Sequence, residues 1–293
     1  KVKYVFSSAN TGGEGEHKIL QEIRKTKCQD KIRVIYGLDA DLLYLSMAAE
    51  APKLFLIREL TEFQNIQSDD GFCYVNIDIM KDCIYKDMVE ELFMESVAEQ
   101  TEFQNLSNYK NNFIQDYVFF GFMIGNDFLP HLPSVHLDYN KEYLGLNILI
   151  NSYKEVFGQI NDEKTENYQF IIMKNNGKIT LSYEFMKLLF CELYSREEEF
   201  FRNTFRLKRT YNNSTFEYTS FEDEIFKREN MQFYVPNLFE LGSKFVPLEE
   251  SKKRFYKYYD IIDNIDNCVE EYIGGLLWNG YYYFDKCVDH LWC

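Results

Sequence analysis

The chain has 293 residues, 46% of them hydrophobic and 17% aromatic, and a formal net charge of -15. Those proportions exclude a disordered tail and describe a folded protein with one large core or two modest ones. The acidity argues against a module that grips nucleic acid through phosphates alone. Seven cysteines without a C-x-x-C pair predict reduced thiols in an intracellular protein, cytoplasmic or nuclear. The most apolar run, Tyr117 to Ile124, is too short for a membrane span, and no signal-peptide pattern is present. A first residue other than Met points to a segment upstream.

In chain order, residues 2–7 (VKYVFS) predict a short buried strand, being rich in valine and aromatic residues. Thr11-Gly12-Gly13 predicts a turn, and Glu14 to Lys25 a helix. Ile19, Leu20 and Ile23 share one face of that helix, with Glu14 and Glu16 in the first turn, where carboxylates suit the dipole. Arg33 to Tyr36 predicts a strand ended by Gly37, Asp39 to Ala49 a helix, and Leu54 to Arg58 another strand. Strands and helices in alternation predict an α/β fold with a mostly parallel sheet.

Ile77 to Ala98 and Asn112 to Gly125 are helical by period, and Asp127-Phe128-Leu129-Pro130 ends the second. From about residue 138 the chain predicts mostly helix, with long patterned stretches at Tyr143–Phe157, Ser182–Phe205 and Asp266–Tyr283. Asn161–Asn167 and Tyr211–Ser220 predict loops, and no repeat of solenoid length is present.

Three acidic clusters stand at element ends: Glu14 and Glu16 within GEGEHK, Asp39 and Asp41 within YGLDAD, and Asp127 within GNDFLP. Ligand sites of parallel α/β sheets gather at the carboxyl ends of strands, where two of these clusters are placed. On a regular helix Glu14 and Glu16 would diverge, but Gly12, Gly13 and Gly15 loosen the backbone enough to turn both one way. Five converging carboxylates repel one another. Two Mg²⁺ ions, which prefer oxygen ligands, relieve that repulsion; such a pair, about 3.5–4 Å apart, activates water and stabilises the leaving oxygen of a phosphodiester. Singly, each cluster has a plainer account: Glu-x-Glu as surface charge at a helix start, Asp39 as an N-cap, Asp127 as a turn residue. The glycine-rich stretch lacks the G-x-x-x-x-G-K-[ST] spacing of a phosphate loop.

Together, GEGEHKI (Gly13–Ile19), YGLDADL (Tyr36–Leu42) and GNDFLPHLPS (Gly125–Ser134) resemble the Xrn family of 5′→3′ exoribonucleases, in the family's order. LFLIRE (Leu54–Glu59), FCYVNIDIMKDCI (Phe72–Ile84) and EEYIGGLLWNGYYYFDKC (Glu270–Cys287) resemble further family segments. The resemblance implies a nuclease core of PIN or flap-nuclease type, incomplete, with its C-terminal part in residues 1–137 and a mostly helical extension in 138–293. It implies that Glu14, Glu16, Asp39, Asp41 and Asp127 hold two Mg²⁺ ions, with Mn²⁺ an acceptable substitute. The implied substrate is single-stranded RNA with a 5′-monophosphate. Further aspartates and the pocket for the 5′-phosphate are expected from an N-terminal region of the same polypeptide or from a partner chain, so these 293 residues alone are expected to be inactive. A flap-type structure-specific DNA nuclease and a non-catalytic RNA-binding or scaffold relative are the alternatives.

Lys18 and Arg58 are candidates for contact with the RNA backbone, or else solvated or salt-bridged cations. His17 is a candidate hydrogen-bond partner of a ligand carboxylate, or a satisfied helix-face histidine. Asn126 is a candidate for orienting water at the site, or a cap at a helix end. His131, between Pro130 and Pro133, is expected to order its turn. Trp278 and Tyr281–Tyr283 have the spacing of a core-facing helix, which is preferred over base stacking, and Lys252-Lys253-Arg254 is expected to be a solvated face.

Overall fold

The computed structural model describes residues 2–26, 30–60, 71–89, 106–135, 145–162, 164, 166–175, 177–211, 240–241 and 244–289. Their elements run α1 (Gly15–Lys25), β1 (Arg33–Tyr36), α2 (Asp41–Ala48), β2 (Leu54–Glu59), β3 (Phe72–Asn76) and α3 (Ile77–Val89). There follow α4 (Lys110–Ile124), α5 (Gly145–Asn161), β4 (Ile172–Asn175), β5 (Lys178–Leu181) and α6 (Tyr183–Tyr211). The last are β6 (Glu240–Leu241), β7 (Lys244–Phe245), α7 (Leu248–Tyr258), a 3-10 turn (Ile262–Asn264) and α8 (Ile265–Phe284). The protein is thus mixed α and β, with a small sheet and mostly helical content. Two compact units divide it: Lys1–Phe119, Glu163–Leu181 and Leu277–Cys293 form the first, Phe120–Asp162 and Ser182–Leu276 the second. Among the described residues no helix is long and apolar enough to cross a membrane.

In the first unit the sheet order is β1-β2-β3, with β1 parallel to β2 and β2 antiparallel to β3. β2 is its centre because its apolar residues alternate: Leu54 and Leu56 are fully buried on one face. α1 and α2 are in contact, and Leu20 on the first and Leu42 and Leu45 on the second are buried. The side-chain oxygen of Asn76 accepts the N–H groups of Asp78 (3.0 Å) and Ile79 (3.2 Å), a cap that turns β3 directly into α3. The β4–β5 hairpin is held from outside its own ladder. The buried carboxylate of Asp116 on α4 accepts the N–H groups of Ile171 and Ile172, and the Tyr281 hydroxyl on α8 accepts that of Ile179 (3.2 Å).

In the second unit the aromatic core is built by Phe120, Tyr153 and Phe185, with Phe120 edge-on to Tyr153 at 5.5 Å and Tyr153 stacked on Phe185 at 5.1 Å. Such pairs add directional preference to apolar burial.

Three expectations need correction. Residues 2–7 form no ladder; Tyr4 and Phe6 are 88% and 89% exposed. A β-prone sequence becomes a strand only against a partner. Here a cleft of about 950 Å³, lined by Val5, Ser8, Lys18, Arg33 and Val34 among others, separates the segment from the open edge of β1. The sheet is mixed rather than mostly parallel, because Leu60 N–H donates to the Gly71 carbonyl (2.9 Å) and β3 returns alongside β2 in reverse. The part after residue 138 is mostly helix among the described residues, as expected, with the short β4–β5 and β6–β7 hairpins set into it. α6 runs on to Tyr211, past the expected end at Phe205. Residues 90–98 of the expected third helix and 212–220 of an expected loop lie outside the described residues.

Candidate active site

Glu14 and Glu16 sit where α1 begins. Gly13 takes φ +91°, a left-handed conformation open to glycine, and Glu14 is the N-cap in extended conformation. Its carbonyl accepts the N–H of Lys18 (3.1 Å), which leaves the side chain outside the helix and exposed. There it meets α8: the Tyr282 hydroxyl donates to Oε2 of Glu14 at 2.6 Å. Tyr282 is only 4% exposed, and its ring lies between two others. His17 stacks on it at 4.3 Å with 16° between planes, and Trp278 at 5.2 Å with 18°. His17 Nε2 donates to the Tyr282 carbonyl (3.1 Å), and Trp278 Nε1 to the Asp289 carbonyl (3.0 Å). Burial first, then the hydrogen bond and the negative charge of Glu14, push the Tyr282 phenol up, so it stays a donor. Glu16 adds to the same field and is half-buried.

Asp39 and Asp41 follow β1. The N–H of Gly37 donates to the Ile57 carbonyl (3.1 Å), and a Cβ at Gly37 would run into the Leu42 side chain, so glycine suits this strand end. Oδ1 of Asp39 then accepts the N–H of Asp41 (3.2 Å), a local turn that ties the Asp39 carboxylate to the backbone at the start of α2. From β2, Arg58 Nη2 donates to the Leu38 carbonyl at 2.5 Å and braces this loop. The Tyr44 phenol is pushed up by burial and, secondarily, by the charge of Asp41.

Asp127 belongs to the second unit, in the loop that ends α4. Gly125 has φ +100°, and a Cβ there would stand 3.0 Å from the backbone nitrogen of His131. Asn126 closes the loop: its side-chain oxygen accepts the N–H groups of Phe128 (3.0 Å) and Leu129 (2.9 Å), and its own N–H donates to the Leu129 carbonyl (3.0 Å). Asp127 itself is exposed. His131 Nδ1 bonds the Leu132 carbonyl (2.9 Å), ordering the turn as the sequence predicts.

Lys18 and Arg58 are committed to carbonyl oxygens, Lys18 Nζ reaching that of Ser8 at 3.3 Å. Trp278, Tyr282 and Tyr283 are buried in the first unit, in keeping with the core-facing spacing. Lys253 is exposed, as expected of a solvated face, but Lys252 and Arg254 are half-buried: Lys252 pairs with Glu249 and lies over the Tyr194 ring at 4.2 Å, and Arg254 pairs with Glu250. What sequence reasoning missed is the Tyr282 hydroxyl. The tyrosine run signalled a buried helix face, and nothing in its period marks which phenol meets an acid 268 positions away.

The five acids offer carboxylate oxygens, the donors that Mg²⁺ and Mn²⁺ prefer. Glu14, Asp39 and Asp127 are exposed, whereas Glu16 and Asp41 are half-buried. In donor chemistry the residues therefore fit such ions. Among the described residues no three histidine, cysteine, aspartate or glutamate side chains gather as a ready-made cage.

Comparison with known proteins places these loops in a family. Residues 1–60, with Glu14, Glu16, Asp39 and Asp41, match the XRN 5'-3' exonuclease N-terminus, and residues 108–244, with Asp127, match the Xrn1 helical domain. The chain belongs to the Xrn family. Among Xrn relatives, the 5'-3' exoribonuclease 2 of Yarrowia lipolytica is 35% identical over 161 residues, 52% of this chain and 15% of that protein. The 5'-3' exoribonuclease 1 of Saccharomyces cerevisiae is 32% identical over 177 residues, 55% of this chain and 11% of that protein. That of Schizosaccharomyces pombe is 27% identical over 232 residues, 75% of this chain and 16% of that protein. The matched part thus spans 11% to 16% of the length of these three Xrn relatives.

Proposed function

We propose that this chain carries five carboxylates of a 5′→3′ exoribonuclease site acting on single-stranded RNA with a 5′-monophosphate. The observation that carries the reading is the coincidence of both family matches with the three acidic loops, all five acids being intact. The relatives' names supply the reaction class, and a core of PIN or flap-nuclease type is part of the same reading.

In this reaction water adds to the phosphorus of the first internucleotide link. The bond from that phosphorus to the 3′ oxygen of the departing nucleotide breaks, the oxygen takes up a proton, and the shortened RNA keeps the phosphate as its new 5′ end. Glu14, Glu16, Asp39, Asp41 and Asp127 would hold two Mg²⁺ ions, or Mn²⁺ in their place, which supply Lewis-acid activation and offset negative charge at the phosphate. The local Asp39–Asp41 turn and the Asn126 loop position their carboxylates before any ligand arrives. Arg58, on the Leu38 carbonyl, holds the Asp39 loop against β2 and brings positive charge beside it. His17 acts on the Tyr282 ring, and Lys18 near the cleft is the candidate for phosphate contact.

The remaining acids and the 5′-phosphate pocket are assigned to an N-terminal region of the same polypeptide or a partner chain. The isolated 293 residues then bind Mn²⁺ weakly and do not turn over RNA. The test is Asp41→Ala in the complete enzyme. It should abolish degradation of 5′-monophosphorylated RNA and leave RNA binding in place; retained turnover would sink the assignment.

A further inference from the structure

We propose that Tyr282 is a positioning residue for Glu14, its hydroxyl fixing that carboxylate in the orientation from which it binds a divalent cation. This rests on the metal-binding reading of Glu14 given above. An exposed glutamate samples several rotamers, and an ion can use it only after that freedom is lost. At Glu14 the freedom is already curtailed, because Oε2 accepts the Tyr282 hydroxyl at 2.6 Å, the short distance of a charge-assisted bond.

The donor is itself immobilised. The Tyr282 ring is stacked between His17 and Trp278, and each of those rings is tied to a backbone carbonyl, His17 to that of Tyr282 and Trp278 to that of Asp289. Packing alone explains an aromatic ring at 282 but not its hydroxyl, since phenylalanine would fill the same sandwich. A fixed phenol at the rim of the core, bonded to an exposed acid at the start of α1, transfers the order of the core to that acid. One oxygen is engaged by the phenol, and Oε1 remains for a cation. Partners of this kind behind a ligand typically contribute about 10- to 100-fold in metal affinity.

The test is a Mn²⁺ titration of the complete polypeptide, with free Mn²⁺ counted by electron paramagnetic resonance, for the parent, Tyr282→Phe, Glu14→Gln and the double variant. Phenylalanine keeps both ring stacks, and far-UV circular dichroism and the thermal midpoint report whether each variant is folded. Tyr282→Phe should weaken Mn²⁺ binding by about 10-fold. The double variant should bind no more weakly than Glu14→Gln alone, because the hydroxyl acts through Glu14. If Glu14→Gln weakens binding while Tyr282→Phe binds like the parent, the hydroxyl serves the fold only and the proposal is overturned with the metal reading intact. Additive losses overturn it too, since Tyr282 would then act by another route. No Mn²⁺ uptake by the parent, or unchanged uptake by Glu14→Gln, removes the metal reading itself and the positioning role with it. Should Tyr282→Phe fail to fold, Glu14→Asp, which keeps a carboxylate but withdraws it from the Tyr282 hydroxyl, replaces it; unchanged Mn²⁺ affinity there likewise overturns the proposal.

Discussion

The buried carboxylate of Asp116 accepts the backbone N–H of Ile172 at 2.9 Å, and its second oxygen accepts that of Ile171 at 3.0 Å. One side chain on α4 therefore satisfies the first backbone donors of the β4–β5 hairpin, 55 and 56 positions further on. Asp116→Ala strands two buried N–H groups, each costing about 1–3 kcal/mol when unpaired. Urea unfolding should show a loss of at least about 2 kcal/mol, with the hairpin amides exchanging faster than the rest of the first unit. An unchanged midpoint would mean that the hairpin is held by its own ladder.

Arg24 makes a comparable tie at the other end of the same unit. Its guanidinium donates to the carbonyls of Asp285 (2.7 Å), Tyr283 and Ala48, so the ends of α1, α2 and α8 meet on one cation. Burial pulls its pKa down while Glu50 and Asp285 oppose that pull, and the group stays charged at neutral pH. Arg24→Met should lower the unfolding free energy by about 2–4 kcal/mol, and Arg24→Lys should recover only part of it, because a point charge cannot reach three carbonyls as a fork does. Full recovery by lysine would refute the forked role.

Gly125→Ala tests the loop that carries Asp127. The new methyl group meets the His131 backbone at 3.0 Å and forces φ +100° on an L side chain. Backbone strain of about 1–3 kcal/mol is expected, read as a lower thermal midpoint. In the complete enzyme turnover should fall further than RNA binding, since Asp127 sits two residues away. Equal losses in both would show that the loop serves binding rather than the acid.

A pH dependence is built into α6. Burial raises the Glu197 carboxyl above its ordinary value of 4.5, against a hydrogen bond from Ser134 and the charge of Lys252, which pull it down. Between the unfolded and the raised folded pKa the native state binds more protons, so stability falls as pH rises through that window. At neutral pH the cost of the buried charge is present in full. Glu197→Gln should therefore be more stable than the parent at pH 7, and its advantage should vanish as pH drops below 4.5. A pH-independent difference would assign the effect to packing.

Much of this was legible in the sequence. The place of α1, the paired strands β1 and β2, and the acids beside them follow from period and punctuation, but the buried face of α1 does not: His17 joins Leu20 there while Ile19 is exposed. The direction of β3 was not, because alternation along FCYVN records which face is buried and not which way the neighbour runs. Residues 2–7 show the converse: valine and aromatic residues give a strand's composition, but the ladder depends on what lies alongside. IMKN and KITL are too short to announce a hairpin, and their anchors, Asp116 and Tyr281, come from helices far away in the chain. The acids were visible, and so was Asn126 as a cap at a helix end, whereas the tie of Arg58 to the Leu38 carbonyl and that of Tyr282 to Glu14 join atoms that no hydropathy pattern records.

The bond between Glu14 and Tyr282 joins positions 268 residues apart, and the Arg24 ties span nearly as far. During synthesis α1 is made long before the last turns of α8, so the stack of His17 on Tyr282 must wait for them. Contacts between positions so far apart in sequence in general slow folding. A chain interrupted anywhere before residue 277 would leave the first unit without its final stretch, however intact the acids of GEGEHK and YGLDAD remained.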